Sequence, residues 1–239
     1  VASGPSASGG GGGAQQHHYV LHSHAGLESL AATEVKDMGD ASTQVVQLFG
    51  KVLFQSTASL DALRALRSAE DLSLLCWASP VSAALLGAPN AAQPASQTTA
   101  ASALADDFAA FYAALDPIAA AWLRRLEELL RNRALPALEA LVPTWRSAVG
   151  LEGNGRGARE RLGFRVTVKR SGKGTTAPGV TSVSMEQLLG GLIVERLGWR
   201  VDLKRPELNV VMQWCEAQAT LELPLRRHQR PQATPGVNV

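Results

Sequence analysis

The sequence predicts an α+β protein of two small α/β units, with a helical stretch between them. Strand-like and helix-like segments succeed one another in the order β-α-β-β-α-β over residues 17–80. A second unit starts at Gly163 with a period-2 strand, then a helix and more strands. The length of 239 residues allows two such domains.

Residues 1–16 are rich in Gly, Ser and Ala, with a run from Gly9 to Gly13, and are expected to be disordered. Tyr19–Ser23 reads as a strand. Leu27, Leu30, Ala31, Val35 and Met38 then recur at helical spacing, and Gly39 is a stop. Thr43–Leu48 and Val52–Gln55 read as strands split by Gly50. Ser59 can cap a helix that carries Leu60, Leu63 and Leu66. Leu72–Trp77 is a final apolar strand. This is the ferredoxin-like split motif, whose helices cover one face of a four-stranded antiparallel sheet.

Residues 81–160 are expected to be a flexible and helical insertion or linker. Ala101–Leu115 and Ile118–Leu135 have helical periodicity, and Pro136 and Pro143 are expected to break the chain between there and residue 150. The second unit spans 161–226. Phe164, Val166 and Val168 alternate with Arg165, Thr167 and Lys169, so one face is buried and the other carries cations. Ser184 and Gln187 have capping-box spacing, and Met185, Leu188, Leu189, Leu192, Ile193 and Leu197 form an apolar helix face ended by Gly198. Trp199–Leu203, Leu208–Trp214 and Ala219–Leu223 read as strands. Residues 227–239 are expected to be a disordered tail.

Hydrophobic residues make up 46% of the chain and aromatics 5%, so the cores should be aliphatic. No apolar run has the length of a membrane span. Two isolated cysteines, Cys76 and Cys215, predict packing roles in a reduced intracellular protein, nuclear or cytoplasmic. The sequence begins at Val1 rather than Met, which leaves a targeting peptide and an organelle open.

Net charge is +2, but it is unevenly divided. Residues 1–150 hold 9 Lys+Arg against 13 Asp+Glu, and residues 151–239 hold 14 against 8. The basic excess of the second half suits a polyanion. Its cations cluster on Arg165, Lys169, Arg170 and Lys173, then on Arg200, Lys204 and Arg205, with Arg226, Arg227 and Arg230 after the last strand. Phosphates need cations without a fixed sequence code, and a sheet face with its flanking loop can supply them. Trp199 could stack a base, although after a helix-ending Gly it packs more often beneath a sheet.

Other chemistries fit poorly. The loop Gly172–Thr175 lacks the earlier Gly of a phosphate-binding loop, and Pro178 and Gly179 precede the helix. The glycines of 153–157 neither follow a strand nor open a helix, so no dinucleotide or S-adenosylmethionine site is expected there. His17, His18, His22 and His24 have only Glu28 as an acidic neighbour in sequence and are expected to be surface or strand-edge residues, with no metal. No nucleophile–base set stands out.

Two stretches, Phe164–Gly172 (FRVTVKRSG) and Leu197–Val210 (LGWRVDLKRPELNV), resemble the THUMP domain of RNA guanine-N2-methyltransferases. Gly26-Leu27-Glu28, Gly50–Phe54 (GKVLF) and Leu63–Leu75 are similar to the ferredoxin-like domain that precedes THUMP in that family. The resemblance covers roughly 19–78 and 163–226. It implies a module that holds structured RNA such as tRNA or small nuclear RNA. It also implies a catalytic domain, fed by S-adenosylmethionine, elsewhere in the full-length enzyme, and an activating subunit that grips that domain. This chain has no Asp/Asn-Pro-Pro-aromatic motif and no cofactor loop, so no catalytic residue and no cofactor are assigned to it. THUMP domains also serve thiouridine and pseudouridine synthases, and a protein-interaction role for the helices of 101–150 is the remaining alternative.

Overall fold

The computed structural model describes residues 16–38, 44–80, 103–151, 162–172, 176–215 and 218–225. The expectations for the two termini and for the loop at 81–100 lie outside these residues. In the N-terminal half the elements are β1 (His17–His22), α1 (Glu28–Asp37), β2 (Val45–Leu48), β3 (Lys51–Ser56), α2 (Leu60–Arg64) and β4 (Asp71–Pro80). They pair in the spatial order β2-β3-β1-β4, antiparallel throughout, as the split motif requires. Ser59 caps α2 by accepting the Ala62 N–H. Glu28 accepts the Gly50 N–H at 2.7 Å, which ties the start of α1 to the β2–β3 turn. That hydrogen bond holds the Glu28 carboxyl below the usual carboxylate range.

The middle of the chain folds as α3 (Ala103–Ala113), α4 (Pro117–Leu129) and α5 (Leu135–Ala148). The expected break at the prolines does not occur. A π-helical turn, Leu130–Ala134, links α4 directly to α5, and Pro143 lies inside α5. A proline ring crowds the carbonyl four residues earlier and supplies no N–H. The wider π turn, closed by the Leu135 N–H on the Leu130 carbonyl, relieves this just before Pro136. The helices also pack against the sheet. Trp122, Leu123, Leu126, Leu138 and Trp145 share one buried cluster with the strands. Trp122 meets Trp214 edge-on at 5.2 Å, and the Trp145 indole donates to the Pro224 carbonyl at 2.9 Å.

The C-terminal half contains β5 (Gly163–Arg170), α6 (Ser182–Leu197), β6 (Arg200–Val201), β7 (Leu208–Trp214) and β8 (Gln218–Pro224). β5 runs parallel to β6 and β7, with α6 as the crossover, and β8 returns antiparallel to β7. The cap of α6 is one turn earlier than expected. Thr181 accepts the Ser184 N–H, and Ser184 Oγ accepts the Thr181 N–H, so Ser184 is the third helical residue of the box rather than its cap. Gly198 ends the helix with φ of +66°. Trp199 is buried edge-on against Phe164 at 5.8 Å, and the strand expected over Trp199–Leu203 is only Arg200–Val201.

β4 pairs with β8 antiparallel, interrupted by a bulge between Leu75 and Trp77. The result is one eight-stranded sheet in the order β2-β3-β1-β4-β8-β7-β5-β6. One face carries Tyr19, Leu21, Phe54, Leu74, Met212 and Leu221, all in the helix-covered core. Strand alternation sends Lys51, Ser73, Lys169, Gln213, Thr220 and Glu222 to the opposite face. There Lys51 on β3 reaches Thr220 on β8 at 3.3 Å and Glu222 at 3.9 Å. Three strand spacings of about 4.8 Å separate those strands in a flat sheet, farther than a lysine extends. The sheet therefore curls, and this face is concave. Glu222, 0% exposed, also receives His22 at 2.9 Å, Gln213 at 3.3 Å and the Thr220 hydroxyl at 2.6 Å. Burial pushes the Lys51 ammonium below its ordinary range, and the Glu222 carboxylate opposes the shift.

Removing one member of a buried ion pair leaves the other charge without compensation. Lys51→Met should cost about 3 kcal/mol in urea unfolding, and adding Glu222→Gln should restore part of it. Two variants as stable as the parent would mean that the pair carries no net weight.

Candidate nucleic-acid interface

β5 sorts its cations by parity. Arg165 and Lys169 lie on the concave face, and Arg170 lies on the helix side. The Arg165 Nε donates to Asn209 Oδ1 at 3.2 Å, and Thr167 donates to the same oxygen at 2.9 Å. Asn209 thus orients Arg165 across the β5–β7 pair. Lys169 is exposed and has no hydrogen-bond or ion-pair partner among the described residues. Arg170 is committed elsewhere. Its guanidinium donates to the Val180 carbonyl at 2.8 Å and to Thr176 Oγ1 at 2.7 Å, closing the loop between β5 and α6. Lys173 lies outside the described residues, as do Arg226, Arg227 and Arg230.

The second cation group forms a separate cluster at the β6 edge. Arg200 pairs with Asp202 at 3.4 Å. Asp202 Oδ1 accepts the Lys204 and Arg205 N–H groups at 3.2 and 2.9 Å, which shapes the turn and leaves both cationic side chains exposed. The Arg205 N–H, with that of Lys204, holds the Asp202 carboxyl below its ordinary range, despite an opposing desolvation.

The concave face opens into a cleft of about 1170 Å³, lined by Arg64, Trp145, Arg165, Lys169, Glu207 and Asn209 among others. Sequence reasoning missed Arg64. It ends α2, where a cation is favoured by the helix dipole, and this ordinary helix chemistry hides its position. Its guanidinium donates to the Ala148 and Leu225 carbonyls at 3.2 and 3.1 Å, joining α5 to the end of β8. Glu207, on the same wall, is occupied by the Gly163 N–H at 2.9 Å. A smaller recess of about 310 Å³ adjoins the cleft and shares Lys169, Asp71, Val211 and Pro224 with it.

The histidines divide. His22 faces Glu222, and His24 pairs with Glu70 at 2.7 Å near the surface. Among the described residues no group of three or more His, Cys, Asp and Glu is placed to hold a metal ion. Cys76 and Cys215 are free thiols, and burial raises that of Cys76.

No protein-family model matches the chain, and no curated protein matches it. Solved structures do align. TrmN from Thermus thermophilus is 20% identical, with 89% of this chain and 46% of that chain covered and a TM-score of 0.47. PH1313 from Pyrococcus horikoshii Ot3 is 12% identical, covering 87% and 54%, with a TM-score of 0.48. A 4-thiouridine synthetase, solved as an RNA complex with bound ATP, is 16% identical, covering 88% and 44%, with a TM-score of 0.41. The chain spans about half the length of these solved chains.

The geometry separates neighbouring cations by role. Arg170→Ala should lower stability by about 1–3 kcal/mol in a denaturant melt, because the Val180 carbonyl loses a charged donor. Lys169→Ala should stay within about 0.5 kcal/mol of the parent. Equal losses in the two variants would contradict the assignment.

Proposed function

We propose that this chain is an RNA-binding module, the part of an RNA-modifying enzyme that holds structured RNA. The observation that carries the reading is the concave face. Lys169 stands there without a partner among the described residues, beside Arg165 and Arg64 in one open cleft. Cations on a shaped surface suit the regular phosphate spacing of a folded RNA, and no base code is needed for that contact. The turn of Lys204 and Arg205 is a second contact point at the sheet edge.

The finer reading rests on the sequence resemblance over 19–78 and 163–226. It makes the module the ferredoxin-like and THUMP part of an RNA guanine-N2-methyltransferase, most like the THUMP domain-containing protein 2 branch, with tRNA or small nuclear RNA as substrate. S-adenosylmethionine would then be held by a catalytic domain. On this reading no residue of the present chain is assigned to that cofactor, and Arg170, at the end of β5, is spent on the Val180 carbonyl and Thr176 Oγ1.

RNA binding by the purified chain tests the proposal, using folded transfer RNA and a small nuclear RNA stem over a salt series. Affinity should fall linearly with salt on a log–log scale, with a slope of about −0.7 to −0.9 per neutralised phosphate. Arg165→Ala with Lys169→Ala should reduce the magnitude of that slope by about 1–2, with a cooperative melting transition showing that the fold is kept. Absence of RNA binding at low salt would overturn the proposal.

A further inference from the structure

We infer that the 310 Å³ recess at the head of the concave face is a pocket for one unpaired nucleobase. The inference rests on the RNA-binding reading and names a site within it. The recess lies where β1, β4, β7 and β8 converge, and Ser23, His22, Asp71, Gln213, Glu222 and Lys169 line it. Its volume is at the small end of ligand pockets, room for one heterocycle and not for a duplex.

Ser23 is the residue that marks it. Only 5% of Ser23 is exposed, and its hydroxyl has no hydrogen-bond partner among the described residues. Its main-chain N–H is satisfied by the Gly50 carbonyl at 3.1 Å, so the backbone is anchored and the hydroxyl alone is left over. Such a buried, unpartnered hydroxyl is a loss, and a ligand in the recess that draws the Ser23 side chain toward itself supplies the partner and recovers it.

The remaining walls select the ligand class. Glu70, Asp71 and Glu222 all border the recess, so a phosphate inside would face three carboxylates. A metal ion is disfavoured as well, because Glu222 is already occupied by His22, Gln213 and Thr220 and no metal-holding group occurs among the described residues. A neutral heterocycle with both donors and acceptors suits a wall that joins the Ser23 hydroxyl to the carboxylate oxygens of Glu70 and Asp71, each able to accept more than one hydrogen bond. Lys169 borders both the recess and the main cleft, where Arg165 and Arg64 lie further along. A base in the recess therefore leaves its own phosphate at Lys169 and the flanking backbone along the cleft. RNA readers take unpaired bases in this way, splayed from the strand and read on their edges.

The test compares an RNA stem containing one bulged nucleotide with the same stem fully paired, both bound to the complete chain at moderate salt. The parent protein should prefer the bulged stem by about tenfold, the scale of one nucleotide contact. Ser23→Leu, which fills the recess, should bring the two stems to within about twofold while binding to the paired stem persists. Equal binding of both stems by the parent would overturn the pocket and leave the RNA-binding function standing. Binding of neither stem would overturn both. A second measurement needs no variant. The bulged nucleotide is replaced by 5-iodouridine and photo-cross-linked to the parent protein. Cross-links in the peptides containing His22 or Gln213 support the pocket, and cross-links found only elsewhere overturn it.

Discussion

The antiparallel pairing of β4 with β8 is the contact on which the rest of the architecture depends. β4 spans Asp71–Pro80 and is long enough to serve β1 on one side and β8 on the other. Without that seam, each half would be a four-stranded sheet with an open edge of unpaired N–H and C=O groups. The seam removes both edges and brings the helices onto one continuous face. Trp145 on Pro224, Trp122 against Trp214, and Arg64 on Ala148 and Leu225 all bridge parts of the chain that the seam brings together.

The same pairing makes the concave face. Because β3 curls toward β7 and β8, Lys51 and Glu222 meet across strands that would be far apart in a flat sheet. The network they form with His22, Gln213 and Thr220 is polar, hydrogen-bonded and centred on buried groups, which favours one register over its neighbours. The face keeps an ionic floor, and its unspent charge lies at the rim on Lys169. The cleft and its recess draw on both halves of the chain. Arg64, Asp71 and His22 come from the first half, and Arg165, Lys169 and Gln213 from the second.

Much of the local structure was legible in the residues. The β-α-β-β-α-β order, the cap at Ser59, the stop at Gly198 and the strand Leu208–Trp214 all follow from periodicity and from the few residues that punctuate it. Pro136 misled because a π turn absorbs a proline at no cost in continuity, and that turn has no sequence signature. The helices of 103–148 read as a connector because amphipathicity shows that a helix has a buried face without showing what buries it. The basic residues read as one group because spacing along the chain ignores alternation. Arg170 follows Lys169 directly, yet faces the helices and braces a loop.

The sequence alone determined the elements, their apolar faces and the concentration of cations in the second half, since these depend on neighbours within a few residues. Only the tertiary structure decided which of the described cations are committed to protein partners, that His22 meets Glu222, and that the Ser23 hydroxyl is buried without a partner among the described residues, in the recess beside the cleft. Those outcomes are set by contacts between residues up to 200 positions apart, and strand register and sheet curvature, rather than local propensity, bring such residues together.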